Sequence, residues 1–420
     1  MPWLVYRAAG PCGGFMSAAK VFRSSAEATS QPRRWRENGE PLMPRRMPLV
    51  ILVCLYAGSV YGQDLSGIEI HGFATEGFLF SSHNNYLTMQ SSSGSLQWTD
   101  GAVSITDSAT DNLRIGIQLH MYQLGQLGGS NVQVDWASGD YKVNDYFGIR
   151  AGKVKTVIGL FNDSQDVDAI FLWTLLPQSV YPIDNKSFFL SNVGGEVYGS
   201  LALGSRAGKL RYDGYVGQAT LDPNGGYAKT LADAGLVFTT PPSGKIYGGD
   251  VRWGSPLTGL IVGSSAYVQA ADGTAAAGGE HLAAFFSNGE YAQFQKRKFY
   301  FAGEYRRTPA KPILTIGPAV IPFPLDQRAW YAMAAYRLAT KLHIGTYYSH
   351  YVNKALEPLQ AARYSKDWVF SGRYDFNPYF YGKIESHFLH GTALGYYDTT
   401  NPNGLRTNSC LLAAKIGFSF

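Results

Sequence analysis

The amino-acid sequence predicts an all-β protein, a transmembrane antiparallel β-barrel of about 16 strands. From Gly67 onward, apolar and polar residues alternate with a period of two. The alternating segments are about 9–12 residues long, the length that a tilted strand needs to cross a bilayer. Turn signals rich in Gly, Pro and Asn separate them, and no stretch shows sustained helical periodicity.

Composition and charge exclude several other classes of protein. The 420 residues are 45% hydrophobic and 14% aromatic, which is too apolar for a disordered chain. The mean hydropathy of −0.12 is too polar for a bundle of membrane helices. The net charge of +5 arises in residues 1–62, because 28 of the 36 Lys and Arg and 28 of the 31 Asp and Glu follow them. The body is therefore neutral and gives no argument for a nucleic-acid partner.

Three segments divide the chain. Residues 43–62 combine a basic start, an apolar run and small residues before a cleavage point, which predicts a secretory signal peptide. Because a signal peptide stands at the N-terminus, we expect residues 1–42 to be a wrongly translated or disordered leader. Met43 or Met47 would then be the true start. Residues 63–420 are expected to form a single barrel domain.

The alternation is clearest in the segment from Leu113 to Met121. Its two faces separate apolar from polar residues: Leu113, Ile115, Ile117, Leu119 and Met121 against Arg114, Gly116, Gln118 and His120. A soluble sandwich would turn the apolar face into a dry core, whereas a membrane barrel turns it outward to lipid and surrounds water with the polar face. Aromatic clusters near strand ends favour the membrane barrel, because amphipathic rings prefer bilayer interfaces.

The last segment carries a resemblance to a known class. Leu412, Ala414, Ile416, Phe418 and Phe420 alternate with small or polar residues. This resembles the C-terminal signal of bacterial outer-membrane barrels, which ends in an aromatic residue and is read by the barrel-assembly machinery. The resemblance implies that Phe418 and Phe420 form an assembly signal. It also implies a protein of the bacterial outer membrane, whose partners are membrane lipid and the barrel-assembly machinery.

A second resemblance lies within the chain. In residues 147–181, a Gly-rich strand with Arg150, Lys153 and Lys155 runs into a long irregular segment. This is similar to large Gram-negative porins, especially phosphate-selective porins and their relatives for small organic acids. Residues 70–76 also resemble the first strand of such porins. The resemblance implies a loop that folds into the pore and assembly as a homotrimer.

Residues 156–195 lack turn-separated alternation and predict this inward-folded constriction loop. A structureless loop of that length is usually functional, and a wide barrel cannot be filled by its own side chains. The loop carries Asp163, Asp166 and Asp168, which would either face solutes or simply be solvated. Its apolar stretch, residues 169–176, would anchor it to the wall or pack at a subunit contact.

Basic residues whose position in the alternation turns them toward the lumen are candidate solute contacts. They are Arg114, Arg150, Arg211, Arg252, Arg306, Arg337 and Arg373, with Lys153 beside an expected bulge at Gly152. Facing the acidic loop, they would create a transverse field that orders permeating solutes. Each has the alternative of pairing with a neighbouring acid, and Lys153 that of reaching the membrane interface. Acids such as Glu69, Glu76 and Asp213 share the expected face, so phosphate specificity is not expected.

These observations predict a porin for passive diffusion of small hydrophilic solutes or anions, with at most a weak preference for anions. No enzyme activity, cofactor or metal is expected, because no Gly-x-Ser-x-Gly, His-Glu-x-x-His or phosphate-loop motif occurs. The alternative is a non-conducting adhesin or glycan-binding barrel, for which segments 81–95 and 309–324 are long enough.

Overall fold

Eighteen strands dominate the part of the chain that the computed structural model describes, residues 67–420 apart from residue 234 and the side chain of Ser187. The expected leader 1–42 and signal peptide 43–62 lie outside the described residues. No helix among the described residues is long and apolar enough to cross a bilayer.

The elements follow one another in chain order. The strands are β1 (Ile68–Ser81), β2 (Ser95–Asp107), β3 (Leu113–Leu124), β4 (Val132–Lys142), β5 (Gly148–Lys155), β6 (Ser191–Ala202), β7 (Lys209–Thr220), β8 (Phe238–Gly254), β9 (Leu260–Ala275), β10 (Gly278–Lys296), β11 (Phe299–Ala310), β12 (Pro312–Ile316), β13 (Ala319–Pro322), β14 (Leu325–Arg337), β15 (Leu342–Asn353), β16 (Tyr364–Asp375), β17 (Phe380–Gly391) and β18 (Asn408–Ser419). The α-helices are α1 (Lys186–Leu190) and α2 (Gly226–Asp233), and the 3-10 helices are Ser91–Ser93, Asp168–Ile170, Ile183–Asn185, Ala361–Arg363 and Asp398–Thr400.

Sixteen of these strands close into an antiparallel barrel, as predicted. Each barrel strand pairs with the next along the chain, and β1 closes the ring against β18, with Thr75 opposite Gly417. The hairpin β12–β13 stands outside the ring, because β11 pairs directly with β14 while β12 extends the sheet beside β10.

The two rims of the barrel differ in their connections. At one rim, here called the turn rim, the strands are joined by turns of at most six residues, and Phe420 follows β18 there. The other rim, the loop rim, carries the longest connection, residues 156–190. In outer-membrane barrels short turns face the periplasm and long loops face the exterior.

The outer face of the barrel is apolar, which confirms the prediction that the strands turn their apolar side chains outward and their polar side chains inward. On β3, Ile115 and Leu119 are 45% and 39% exposed, whereas Gln118 and His120 of the opposite face are buried. Strands whose apolar side chains stand outside a closed ring match a lipid environment, and their polar partners surround the interior.

One long segment at the loop rim is folded inward. Leu87 and Met89 are fully buried and belong to a cluster that includes Trp98 and Leu175. Segment 81–95 is therefore part of the packed barrel interior. Of the two segments long enough for an adhesive surface, the other, 309–324, contains the short hairpin β12–β13.

The constriction loop is shorter than predicted and spans residues 156–190, because β6 begins at Ser191. Adjacent glycines hide the alternation at the start of β6, but they pair regularly with the neighbouring strands. A Cβ atom on Gly194 would lie 2.1 Å from the carbonyl oxygen of Val216, so this close approach requires glycine.

Candidate pore and constriction site

The constriction loop crosses the barrel interior and contacts distant parts of the wall. Near its start, Nη2 of Arg252 on β8 donates to the carbonyl oxygen of Gly159 at 2.8 Å. Further along, Nζ of Lys415 on β18 lies 2.8 Å from Oδ1 of Asp168. Because β8 and β18 stand far apart around the ring, the loop divides the interior rather than lining one side of it.

Asp168 anchors the loop to β17 and β18. Its carboxylate lies 2.8 Å from the ammonium groups of both Lys383 and Lys415, and the hydroxyl of Tyr381 donates to it at 2.8 Å. Burial alone would raise the pKa of Asp168, but the two ammonium groups outweigh it and hold this pKa at about 2. Asp168 is therefore an ionised, buried anchor.

Asp166 anchors the loop to β3 and β5 in the same way. Nζ of Lys155 lies 2.7 Å from its carboxylate, and Nε2 of Gln118 donates to it at 2.5 Å. Burial opposes ionisation, but the charge of Lys155 outweighs burial and lowers the pKa of Asp166. Lys155 also pairs with Asp135 at 2.9 Å, so the contact is a small ionic network.

Wall carboxylates hold the loop backbone where regular secondary structure is absent. Glu385 on β17 accepts hydrogen bonds from the amides of Thr174 and Leu175 at 3.0 and 2.9 Å. Glu304 on β11 accepts from the amide of Leu160 at 3.3 Å and from the hydroxyl of Tyr181. These bonds supply acceptors that a buried irregular segment would otherwise lack.

Asp163 differs from the other two predicted loop acids. It is half-buried, and within residues 67–420 apart from 234 no hydrogen bond or salt bridge holds it. It interacts electrostatically with Arg252 of β8. Of the three acids, Asp163 alone retains a carboxylate that is not committed to anchoring.

The structure turns all seven predicted arginines inward, and six of them pair with acids. The closest pairs are Arg114 with Glu69 (2.8 Å), Arg150 with Asp140 (2.8 Å), Arg211 with Asp213 (3.2 Å), Arg252 with Asp250 (2.9 Å), Arg306 with Glu304 (3.0 Å) and Arg373 with Asp375 (2.8 Å). Arg337 has no salt bridge to any described residue. The wall charge is thus largely neutralised pair by pair.

Lys153 does not line the lumen, contrary to the prediction. It stands opposite Val193, which is 61% exposed on the outer face, and its Nζ donates to the carbonyl oxygen of Val134 at 2.6 Å. Gly152 has a φ of +126°, yet the pairing of β5 with β6 continues without a register shift. Because the strand has no bulge here, Lys153, three residues after the inward Arg150, must face outward.

Glu76 also lies on the outer face rather than the expected inner one. It stands opposite Ile416, which is 55% exposed, and its carboxylate accepts a hydrogen bond from the hydroxyl of Thr99 at 2.7 Å. Apolar residues of β1 itself set the outward direction of Glu76, because Phe73 and Leu79 are buried on the opposite, inner face.

No protein-family model and no curated protein matches the chain. Solved structures of outer-membrane proteins do match it. OmpF of Salmonella typhi in complex with daunomycin aligns with a TM-score of 0.54 and 13% identity over 84% of this chain and 97% of that one. The anion-selective porin of Comamonas acidovorans aligns with a TM-score of 0.52 and 11% identity over 84% and 99%.

A further match is the outer-membrane channel DcaP of Acinetobacter baumannii, with a TM-score of 0.50 and 10% identity over 86% of this chain and 99% of that one. Identities this low carry information about the fold alone. The chain has the fold of a bacterial outer-membrane porin. The predicted porin resemblance is confirmed at that level, and its phosphate-selective detail gains no support.

Beneath the constriction loop, the barrel contains a basic cavity of about 460 Å³. Its basic lining residues lie near the turn rim: Arg297, Lys298, Arg337 and His343. Phe161 and Phe171 of the constriction loop form part of its wall. Positive charge is therefore concentrated in this cavity, whereas acids neutralise the paired arginines along the wall.

Sequence reasoning found Arg337 but missed several other residues of this site. Arg297 and Lys298 form the two-residue turn between β10 and β11, where alternation gives no direction. Lys383 and Lys415 do lie at inward positions of alternating strands, so the same signal that selected the arginines was present for them. What was absent from the sequence was any indication that Asp168 is their partner.

Proposed function

We propose that this protein is an outer-membrane porin through which small hydrophilic solutes diffuse passively. The observation that carries the proposal is the closed barrel with an apolar outside and a charged interior, divided by an inward loop. A soluble protein of this kind would need a dry core instead. The protein resides in the bacterial outer membrane, and it acts as a channel rather than an enzyme.

Conductance of the purified protein in a planar lipid bilayer tests this proposal. Stepwise, ohmic openings are expected, and heat-denatured protein serves as the control. A silent bilayer, combined with intact β-barrel circular dichroism, would contradict the pore and favour the non-conducting adhesin.

The proposed pore discriminates only weakly by charge, with a small preference for anions. Six wall arginines are neutralised by acids, which argues against a strong anion filter. The basic cavity at the turn rim, with the unpaired Arg337, supports the remaining anion preference. Asp163 and Arg252 are the proposed groups facing each other across the narrow zone.

The proposed assembly is a homotrimer in contact with membrane lipid. Its support is the resemblance to porins together with a polar, small-residue patch on the outer face: Ala74, Glu76, Thr99 and Gly101. A carboxylate facing lipid costs several kcal/mol near the bilayer midplane, so a protein contact is the more stable environment for Glu76.

Substitution of Ala74 by Trp tests this contact. The bulky ring should prevent close approach of a second copy, so the variant should migrate as a monomer in light-scattering chromatography. Ala292→Trp, an outward alanine on the far side of the barrel, should remain trimeric. A trimeric Ala74→Trp variant would contradict this interface.

A further inference from the structure

A second cavity, of about 210 Å³, lies between the constriction loop and the loop rim. Aromatic side chains make up much of its wall: Phe188, Phe189, Tyr227, Tyr267, Phe285 and Tyr351. Two charged residues also line it, Arg306 at its inner part and Glu280 near the loop rim. The proposed passage of solutes gives this cavity no specific role.

Glu280 carries a carboxyl group with no cationic partner among the described residues in this apolar setting. Glu280 is 5% exposed, and its Oε1 accepts a hydrogen bond from the hydroxyl of Tyr227 at 2.5 Å. Oε2 is buried and has no hydrogen-bond partner. No Lys, Arg or His among the described residues pairs with it. Buried carboxylates are ordinarily paired with a cation or fully hydrogen-bonded.

Arg306 does not supply the missing cation. It stands opposite Gly289, nine residues along β10 from Glu280, which corresponds to roughly 30 Å of strand. Its guanidinium is already bound to Glu304 at 3.0 Å and to the carbonyl oxygen of Val180 at 3.2 Å. The cavity thus has an unpaired carboxyl group at one end and an already paired guanidinium at the other.

Tyr227 is fixed in place, which makes the carboxylate a preformed feature. It lies in the first turn of α2, and its amide donates to Oδ1 of Asn185 at 2.6 Å. Asn185 belongs to the constriction loop, so the loop and α2 together orient the ring beside Glu280. A preformed polar group in an apolar concave site is the usual arrangement for recognition of a small molecule.

The geometry points to a binding site for a small organic cation with an aromatic or similarly flat apolar body. Its ammonium group would bind Oε2 of Glu280 and lie against the ring of Tyr227, where a cation is stabilised by the π-system. Its apolar body would lie among Phe188, Phe189 and Phe285. The inference deepens the proposed function by naming a class of solute that the pore retains at its outer mouth.

Equilibrium binding of 2-phenylethylammonium to the purified full chain, measured by isothermal titration calorimetry in detergent, tests the site. The wild-type protein should bind, and Glu280→Gln should weaken binding at least tenfold, because it removes the charge and keeps the shape. Glu290→Gln, on the outer face of the same strand, should bind like the wild type. Equal binding by the wild type and Glu280→Gln would overturn the inference.

Two further probes separate the contributions of charge and body. Ethylammonium, which lacks the ring, and 3-phenylpropionate, which reverses the charge, should both bind at least tenfold more weakly than 2-phenylethylammonium. Tighter binding of 3-phenylpropionate would assign the cavity to Arg306 and refute the cation site. Binding is measured without current, so a protein that binds the amine but does not conduct would refute the pore and leave this site standing.

Discussion

At the residue scale, the availability of a lumen charge to a permeating ion depends less on its position in the strand alternation than on whether an acid pairs with it. Six lumen arginines share their charge with acids, and on four strands that acid is two residues away on the same face: Arg211 with Asp213, Arg252 with Asp250, Arg306 with Glu304 and Arg373 with Asp375. Arg337 lacks such a partner and lines the basic cavity. Its charge is therefore the one most available to a permeating ion.

Reversing this charge should alter ion selectivity. Arg337→Glu should shift the reversal potential in a potassium chloride gradient toward cations, changing the permeability ratio by a factor of about two to three. Arg307→Glu, on the outer face of β11, should leave the reversal potential unchanged. An unchanged potential in Arg337→Glu would remove the basic cavity from the conduction path.

At the element scale, the constriction loop is held by buried ionic contacts rather than by secondary structure of its own. Asp166 and Asp168 bind lysines on separate parts of the wall, and Glu304 and Glu385 bind its backbone. Breaking a buried ion pair by removing one partner costs about 3–5 kcal/mol, because the other charge remains uncompensated. The loop should therefore depend sharply on single anchors.

Asp168→Asn should release the loop locally. Lys383 and Lys415 would then share one buried site without a counter-charge, so single-channel traces should show added current fluctuations and a larger mean conductance. Asp163→Asn removes a carboxylate of the same loop that anchors nothing, so its traces should show no added current fluctuations, whatever its mean conductance. Quiet, wild-type traces from Asp168→Asn would show that this anchor does not hold the loop.

The low pKa of Asp168 sets the acid range over which the anchor persists. Its pKa is about 2 in the folded protein against about 3.9 in an unfolded chain, so it contributes on the order of 2 kcal/mol at neutral pH. Because the folded pKa is the lower one, this stability is complete above about pH 4 and is lost as the pH falls toward 2. Single-channel current should stay quiet from pH 7 to pH 5. Fluctuations that begin near pH 6 would require a different titrating group.

At the scale of the whole molecule, the barrel closes where β18 pairs with β1, and Phe420 extends this seam at one end. The amide of Phe420 donates to the carbonyl oxygen of Gly72 at 3.0 Å, and the amide of Gly72 returns a bond at 3.2 Å. The ring of Phe420 packs at a tilt against Phe418, which packs in turn against Phe380. The proposed assembly signal thus coincides with the closing seam.

Deletion of Phe420 should lower the yield of folded barrel, because it removes both the aromatic signal and the two seam hydrogen bonds. Heat-modifiable mobility in gel electrophoresis of outer-membrane fractions measures this yield. Phe420→Tyr keeps the ring and the backbone bonds and should assemble normally. Wild-type amounts of folded protein after the deletion would exclude Phe420 as an assembly signal.

The sequence by itself determined the strands, the outward direction of their apolar faces and the inward direction of the seven arginines, because a period of two is a local property of neighbouring residues. It also located the inward segment, with an error of a few residues where Gly194 and Gly195 carry no side chains. Only the tertiary structure decided which charges meet, since Asp168 finds Lys383 at a separation of 215 positions. The outward direction of Lys153 likewise depended on the unbroken register of β5 with β6, which no single strand reveals.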